Sequence, residues 1–83
     1  MMSTSFEIDQ RLDCKGLNCP LPILKTKKAL DGMAAGQVLE MTSTDPGAKP
    51  DMEAFSRRTG HELLEAVERD GTFTFYIRKA AAQ

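Results

Sequence analysis

Along the chain, the spacing between apolar residues switches between two positions, which is typical of a strand, and three or four positions, which is typical of a helix. Each switch predicts a new element. Apolar and polar residues alternate partly through residues 6–13, which predicts a first strand. From Pro20 onward the spacing is that of one helix face. The residues on this face are Ile23, Thr26, Leu30 and Met33. Gly32 is expected to end the helix in the left-handed conformation that glycine adopts without strain.

A second strand and a second helix follow. Residues 36–44 contain adjacent apolar positions and β-branched threonines, which predicts a strand partly covered on both faces. Helical spacing returns in residues 51–59, and Gly60 is expected to stop this helix. Pro50 suits the first helical turn, where its missing N–H costs nothing. A short turn of helix at 46–49 is expected before it.

The last part of the chain has the pattern of a β-hairpin. Residues 62–70 alternate, with Leu64 and Ala66 expected on one face of a strand. The dipeptide Asp70-Gly71 then predicts a tight hairpin turn. In the final strand, residues 72–79, the aromatic and apolar residues on one face are Phe73, Phe75 and Ile77.

Together these elements predict a single α+β domain. The order strand, helix, strand, helix, strand, strand predicts a two-layer sandwich, with two helices on one face of a four-stranded mixed sheet. A chain of 83 residues forms one domain, here residues 1–83 with an ordered core at about 6–79. Residues 1–5 and 80–83 are expected to fray.

Charge and hydropathy exclude several classes of partner. The chain has 11 basic and 12 acidic residues and a net charge of −1, so nothing favours nucleic acid or an anionic membrane. No apolar run approaches the ~18 residues that span a bilayer. The N-terminus lacks the basic and apolar regions of a signal peptide. We therefore expect a cytoplasmic protein, where thiols stay mostly reduced, with no direct nucleic-acid or membrane partner.

The stretch GLNCPLP, residues 16–22, points to chemistry rather than to packing. Pro20 suits the first helical position, which makes Cys19 the expected N-cap. There the positive end of the helix would favour the thiolate over the thiol. Reactive cysteines in such positions have pKa values of about 3.5–7.5. The setting therefore predicts a nucleophilic Cys19.

Pro22 adds a constraint on this site. It has no N–H, so the backbone donors left for the sulfur are those of Leu21 and Ile23. The two prolines are expected to stiffen the first turn and to hold the sulfur outward and exposed. The alternative is a buried cysteine that only fills space, which is the commoner role in a small domain. The flanking prolines favour the reactive role.

Residues 12–30, LDCKGLNCPLPILKTKKAL, resemble the signature of the TusA/SirA-like sulfur-carrier family. The positions that carry this resemblance are Asp13, Gly16, Cys19, Pro20 and Pro22. Residues 43–63 are similar to a second block of the family, with Asp45-Pro46, Phe55 and Gly60-His61-Glu62. The resemblance covers nearly all of residues 8–79. Pro50 departs from the family pattern at the expected start of the second helix.

The resemblance implies a function as well as the two-layer fold. Sulfane sulfur would be carried as a persulfide on Cys19, by thiol–disulfide-type exchange. A cysteine desulfurase or a rhodanese would load it, and a DsrE-type protein or a tRNA thiolation enzyme would unload it; similar proteins also move sulfur toward oxidation. Gly16, Pro20, Leu21 and Pro22 would shape the site, and Asp13 would cap the turn or orient the loop. The resemblance implies a carrier without a cofactor rather than a turnover enzyme on its own.

Three interpretations of the role of Cys14 are open. It is a small core residue, or it resolves a Cys19 persulfide by forming a disulfide with Cys19, or it is a metal ligand. The third is disfavoured, because two cysteines and one histidine do not complete the four-ligand set of a structural zinc site. We expect Cys14→Ser to keep single-turnover sulfur transfer and Cys19→Ser to abolish it.

Lysines gather around the first helix. Lys15, Lys25 and Lys28, with Lys27, either form a solvated helix face or dock acidic partner surfaces beside the sulfur. Arg57 and Arg58 are interpreted as extending this basic surface, and His61 as structural. Two alternative functions remain open from the residues: a dithiol redox protein that uses Cys14 and Cys19, and a regulatory or binding module.

Overall fold

The structure, a computed structural model, describes residues 7–81 and confirms the predicted order of elements. The elements are β1 (Gln10–Cys14), α1 (Leu21–Asp31), β2 (Val38–Ser43), α2 (Ala48–Thr59), β3 (Glu62–Arg69) and β4 (Thr72–Arg78). Residues 1–6 and 82–83, including Phe6 of the predicted first strand, lie outside this range. Neither helix in residues 7–81 is long and apolar enough to cross a bilayer.

The sheet is mixed, as predicted, with the strand order β1-β2-β4-β3. Strands β1 and β2 are parallel, and β4 runs antiparallel to both β2 and β3. Helix α1 packs on β1 and β2, whereas α2 packs on β3 and β4. The two helices therefore divide one face of the sheet between them, which is the α+β sandwich expected from the sequence.

The core lies between the sheet and the helices. Its inward-facing residues alternate along β1, β2 and β4, as the period of two requires. The residues of the cluster that are least exposed are Cys14, Leu30, Leu39, Met41, Met52, Phe55, Phe75 and Ile77. Across the two central strands, Met41 pairs with Phe75 and Leu39 pairs with Ile77. The helix face predicted for α1 is largely confirmed, since Thr26 and Leu30 are buried and Ile23 is half-buried.

Both helix boundaries differ in part from the prediction. Gly32 has φ −91°, so it does not adopt the left-handed conformation expected of it. The N–H groups of Gly32 and Met33 instead donate to carbonyls three residues earlier, so the last turn tightens and closes without a left-handed residue. Helix α2 begins at Ala48, three residues earlier than predicted, and Pro50 still falls in its first turn. Gly60 does end α2 as predicted, with φ 86°.

The β3–β4 hairpin contains one irregularity that the sequence pattern did not predict. Leu63 pairs with Ile77 and Ala66 pairs with Phe75, with a register shift between Leu63 and Glu65. This bulge adds one residue to β3, so Leu63 rather than Leu64 packs against the core together with Ala66. The turn itself is as predicted, because Asp70 and Gly71 both have positive φ, as a type I′ hairpin turn requires.

His61 connects the end of α2 to the end of β4. Its Nδ1 accepts a hydrogen bond of 2.9 Å from the N–H of Ala80, and its ring centroid lies 6.0 Å from that of Phe55. Burial, with Lys79 nearby, lowers the pKa of His61, which favours the neutral ring that can accept this bond. This hydrogen bond links Ala80 to the residue that follows α2.

Candidate functional site

Two loops meet at one end of the sheet and carry the candidate site. Because β1 and β2 are parallel, the loops that follow them leave the same edge of the sheet. The N–H of Gly16 donates to Oγ1 of Thr44 at 2.9 Å, and the N–H of Cys19 donates to Oδ2 of Asp45 at 3.0 Å. These two bonds attach the cysteine loop to the loop between β2 and α2.

The cysteine loop is also ordered from within. Oδ1 of Asp13 accepts a hydrogen bond of 2.9 Å from the N–H of Lys15, and the carbonyl of Cys14 accepts one of 3.1 Å from the N–H of Leu17. Gly16 has φ +83°, a conformation that side chains rarely adopt. Asp13 and Gly16 thus order the turn between β1 and Cys19.

Cys19 lies one position outside the helix cap predicted for it. Helix α1 begins at Leu21 with Pro20 as its N-cap, and Pro22 is its second residue rather than its third. The Cys19-Pro20 peptide bond is cis. The N–H of Leu21, which was expected to face the sulfur, donates instead to the carbonyl of Asn18 at 2.9 Å. The predicted N-cap role of Cys19 is therefore wrong.

The charge around the sulfur is also opposite to the prediction. A hydrogen bond from the Cys19 thiol to Asp51, followed by desolvation and by the charges of Asp51 and Asp45, raises the pKa of Cys19. The expectation of a helix-stabilised thiolate is therefore wrong. It failed because the sulfur lies outside the cap and faces two carboxylates.

The prediction that the sulfur is exposed is confirmed. Cys19 is exposed, and Leu21 and Leu24 beyond it on α1 are 46% and 56% exposed. The thiol borders a shallow depression whose other lining residues are Pro22, Ile23, Asp45, Ala48, Asp51 and Met52. Pro22 is buried in α1, so it anchors the first turn behind an accessible thiol. A thiol on such a surface can be reached by a group carried on another protein.

Cys14 is in a different environment. Its exposure is 0%, it belongs to the core cluster, and neither cysteine forms a disulfide. Burial raises the pKa of its thiol, an effect that Lys25 opposes and Asp13 reinforces. This placement favours the interpretation of Cys14 as a small core residue. A resolving role would require the end of β1 to open. Within residues 7–81 no three His, Cys, Asp or Glu side chains form a group that could hold a metal.

The lysines divide into paired and solvent-facing groups. Lys27 forms an ion pair of 3.1 Å with Asp31 along α1, whereas the side chains of Lys15, Lys25 and Lys28 are exposed. Arg57 and Arg58 are in the last turn of α2, more than one turn beyond Met52 of the depression. Both are exposed, and their part in a basic surface beside the sulfur stays a prediction.

Sequence reasoning missed the two acidic residues of the site. Asp45 was quoted only as part of a family block, yet it accepts the N–H of Cys19 and, through Oδ1, the N–H of Gly47 at 3.0 Å. The signal for Asp45 was present, because Asp-Pro-Gly is typical of a turn in which the carboxylate accepts an N–H two residues on. No local signal indicated that Asp51 faces Cys19.

The fold and the site together define a small α+β domain that presents one exposed thiol on a hydrogen-bonded loop. Comparison with known proteins agrees with this class. The model of the sulfurtransferase TusA family matches residues 10–79. The chain therefore belongs to the TusA family.

Individual relatives support the same assignment. The chain is 53% identical over 74 residues to the sulfur carrier protein TusA of Allochromatium vinosum, covering 89% of this chain and 97% of that protein. It is 42% identical over 78 residues to the sulfur carrier protein TusA of Pseudomonas putida, covering 94% of this chain and 98% of that protein. A crystal structure of a SirA-like protein from Desulfitobacterium hafniense matches with a TM-score of 0.75 at 25% identity, covering 86% of this chain and 97% of that chain.

Proposed function

We propose that this protein is a sulfur carrier that accepts sulfane sulfur as a persulfide on Cys19 and passes it to a partner protein. One observation carries the proposal. In a chain of the TusA family, Cys19 is an exposed thiol whose loop is hydrogen-bonded to the neighbouring loop, while the other cysteine is buried. A carrier needs an accessible sulfur in a defined place, and Cys19 meets this requirement.

The chemistry is an exchange of one sulfur atom. In loading, the Cys19 sulfur attacks the outer sulfur of a donor persulfide, a new S–S bond forms on Cys19, and the old S–S bond breaks. The donor leaves as a thiolate, and the proton lost by Cys19 can return to it. In unloading, an acceptor thiolate attacks the outer sulfur, and the Cys19 thiolate leaves and is protonated. Neither step needs an oxidant or a cofactor.

A sulfur carrier interacts with a donor protein and an acceptor protein. A cysteine desulfurase or a rhodanese is the proposed donor, and a DsrE-type protein or a tRNA thiolation enzyme is the proposed acceptor. The exposed Leu21 and Leu24 beside the thiol provide apolar surface for such contacts. The proposed location is the cytoplasm, where a thiol carrier stays reduced.

The alternative function, a dithiol redox protein, is tested by thiol titration in denaturant. Treatment with a mild thiol oxidant should leave the Cys14 thiol titratable, because it is buried and separated from solvent by the core. Treatment with a sulfane-sulfur donor should add one reducible sulfur per chain. Loss of both thiols to an intramolecular disulfide, without any added sulfur, would instead support the redox alternative.

The exposed lysines are proposed to guide acidic partner surfaces toward the sulfur. Lys25→Glu is expected to slow loading by a purified cysteine desulfurase by about tenfold at low salt, because charge reversal beside the site opposes encounter. The difference should shrink as salt screens the charges. Arg58→Glu is the matched control, since it makes the same charge change at the far end of α2. Equal slowing in both variants would contradict a local docking role.

A further inference from the structure

Two carboxylates converge beside the Cys19 thiol from different elements. Asp45, in the loop before α2, is fixed by the N–H groups of Cys19 and Gly47, both at 3.0 Å. Asp51, in the first turn of α2, lines the same shallow depression as the Cys19 thiol. A side chain at Gly47 would place its Cβ 3.7 Å from Oδ1 of Asp45 and 3.9 Å from Oδ2 of Asp51. The glycine therefore lies where the two carboxylates meet.

We propose that Asp51 holds the proton on Cys19 in the free carrier and so restrains its sulfur from reacting. This inference rests on the proposed function of Cys19 as the sulfur-carrying residue. Asp51 lines the same depression as the thiol, whereas both carboxylate oxygens of Asp45 already accept backbone N–H groups. The restraint is therefore assigned to Asp51.

The physical reason is the difference between the two protonation states of the sulfur. As a thiol, Cys19 donates a hydrogen bond to the Asp51 carboxylate. As a thiolate, it loses that bond and faces a negative charge at close range. Among residues 7–81, the charged groups that act on the Cys19 thiol are Asp51 and Asp45, both of which oppose its ionisation. The charge of Lys25 acts on Cys14 instead.

This restraint has a consequence for a carrier that meets many thiol-reactive molecules. The thiolate is the nucleophilic form of cysteine and the form that oxidises readily. A carrier whose thiol stays protonated when free reacts slowly with small electrophiles and oxidants. The partly buried Asp51 is thus a specificity-determining residue: it lowers the reactivity of the sulfur in solution without blocking access to it.

The test is the pH dependence of alkylation by iodoacetamide in the folded protein. Trypsin cuts after Arg11, Lys15 and Lys25, so the two cysteines fall on separate peptides, residues 12–15 and 16–25. Asp51→Asn is expected to lower the pH midpoint of alkylation of the 16–25 peptide. Each unit by which the midpoint falls raises the thiolate at pH 7 about tenfold and lowers its nucleophilicity about threefold, so the rate should rise about threefold per unit.

Glu53→Gln is the matched control, because it removes one negative charge from the same helix and should leave the midpoint unchanged. Asp51→Ser, which keeps a small polar side chain in the first turn of α2, checks that the effect does not come from the asparagine. An unchanged midpoint in both folded Asp51 variants would overturn the inference. Since alkylation needs no persulfide, this readout is independent of whether Cys19 carries sulfur.

Discussion

Replacing Cys19 with serine is expected to reduce loading of sulfane sulfur to the background of a protein without the site. The hydroxyl of serine stays protonated at neutral pH and does not replace a thiolate in exchange at sulfur. Because Cys19 is exposed, the substitution removes no core contact, and the folded state should be unaffected. Loading is measured as the gain of one sulfur atom by mass spectrometry after incubation with a persulfide donor.

Cys14→Ala is the control for this result. Alanine is preferable to serine here because Cys14 is fully buried, and a hydroxyl without a partner would add a separate destabilisation. This variant should load sulfur at the wild-type level. Loading that persists in Cys19→Ser and disappears in Cys14→Ala would reverse the assignment of the two cysteines.

Phe55→Ala is expected to produce a large loss of stability in the domain. Phe55 is 2% exposed and packs α2 into the core. Truncating a buried phenylalanine lowers the free energy of unfolding by about 3–5 kcal/mol, because apolar contacts are lost and a cavity remains. The total free energy of unfolding of a small domain is only about 5–15 kcal/mol. Much of the variant protein should therefore unfold at moderate temperature. The same helix carries Asp51, so the site should be lost along with the fold.

Urea denaturation measures this effect, with a lower midpoint and an unchanged slope expected for the variant. Leu24→Ala is the matched control on the other helix, because Leu24 is 56% exposed. Its free energy of unfolding should change by about 0.5 kcal/mol or less. A similar loss in both variants would mean that the core is not organised around Phe55 as described.

The sequence pattern predicted the order of the elements because each one has a clear period and a clear stop. Gly60 and Asp70-Gly71 ended their elements where local backbone preference demanded it. The errors arose where tertiary contacts decide. The bulge between Leu63 and Glu65 cannot be read from the alternation of β3 alone, because it depends on pairing with β4. The backbone conformation of Gly32 is set by the tightened last turn of α1, and not by the ability of glycine to adopt the left-handed conformation.

The same distinction between local sequence signals and tertiary contacts applies to the candidate site. Cys19, Asp13 and Gly16 were identified because turn residues and prolines act on their immediate neighbours. The charge around the sulfur was predicted with the wrong sign, since Asp45 and Asp51 come from the other half of the chain. A 26-residue separation between Cys19 and Asp45 leaves no local pattern that links them. The site is completed by the sheet topology, which brings the two loops together.

The central claim is tested most directly by locating the added sulfur. Wild-type protein is incubated with a persulfide donor, alkylated to trap the product and digested with trypsin. The account predicts one extra sulfur atom on the peptide of residues 16–25, which contains Cys19, and none on that of residues 12–15, which contains Cys14. Extra sulfur on the 12–15 peptide alone, or on neither peptide, would contradict it.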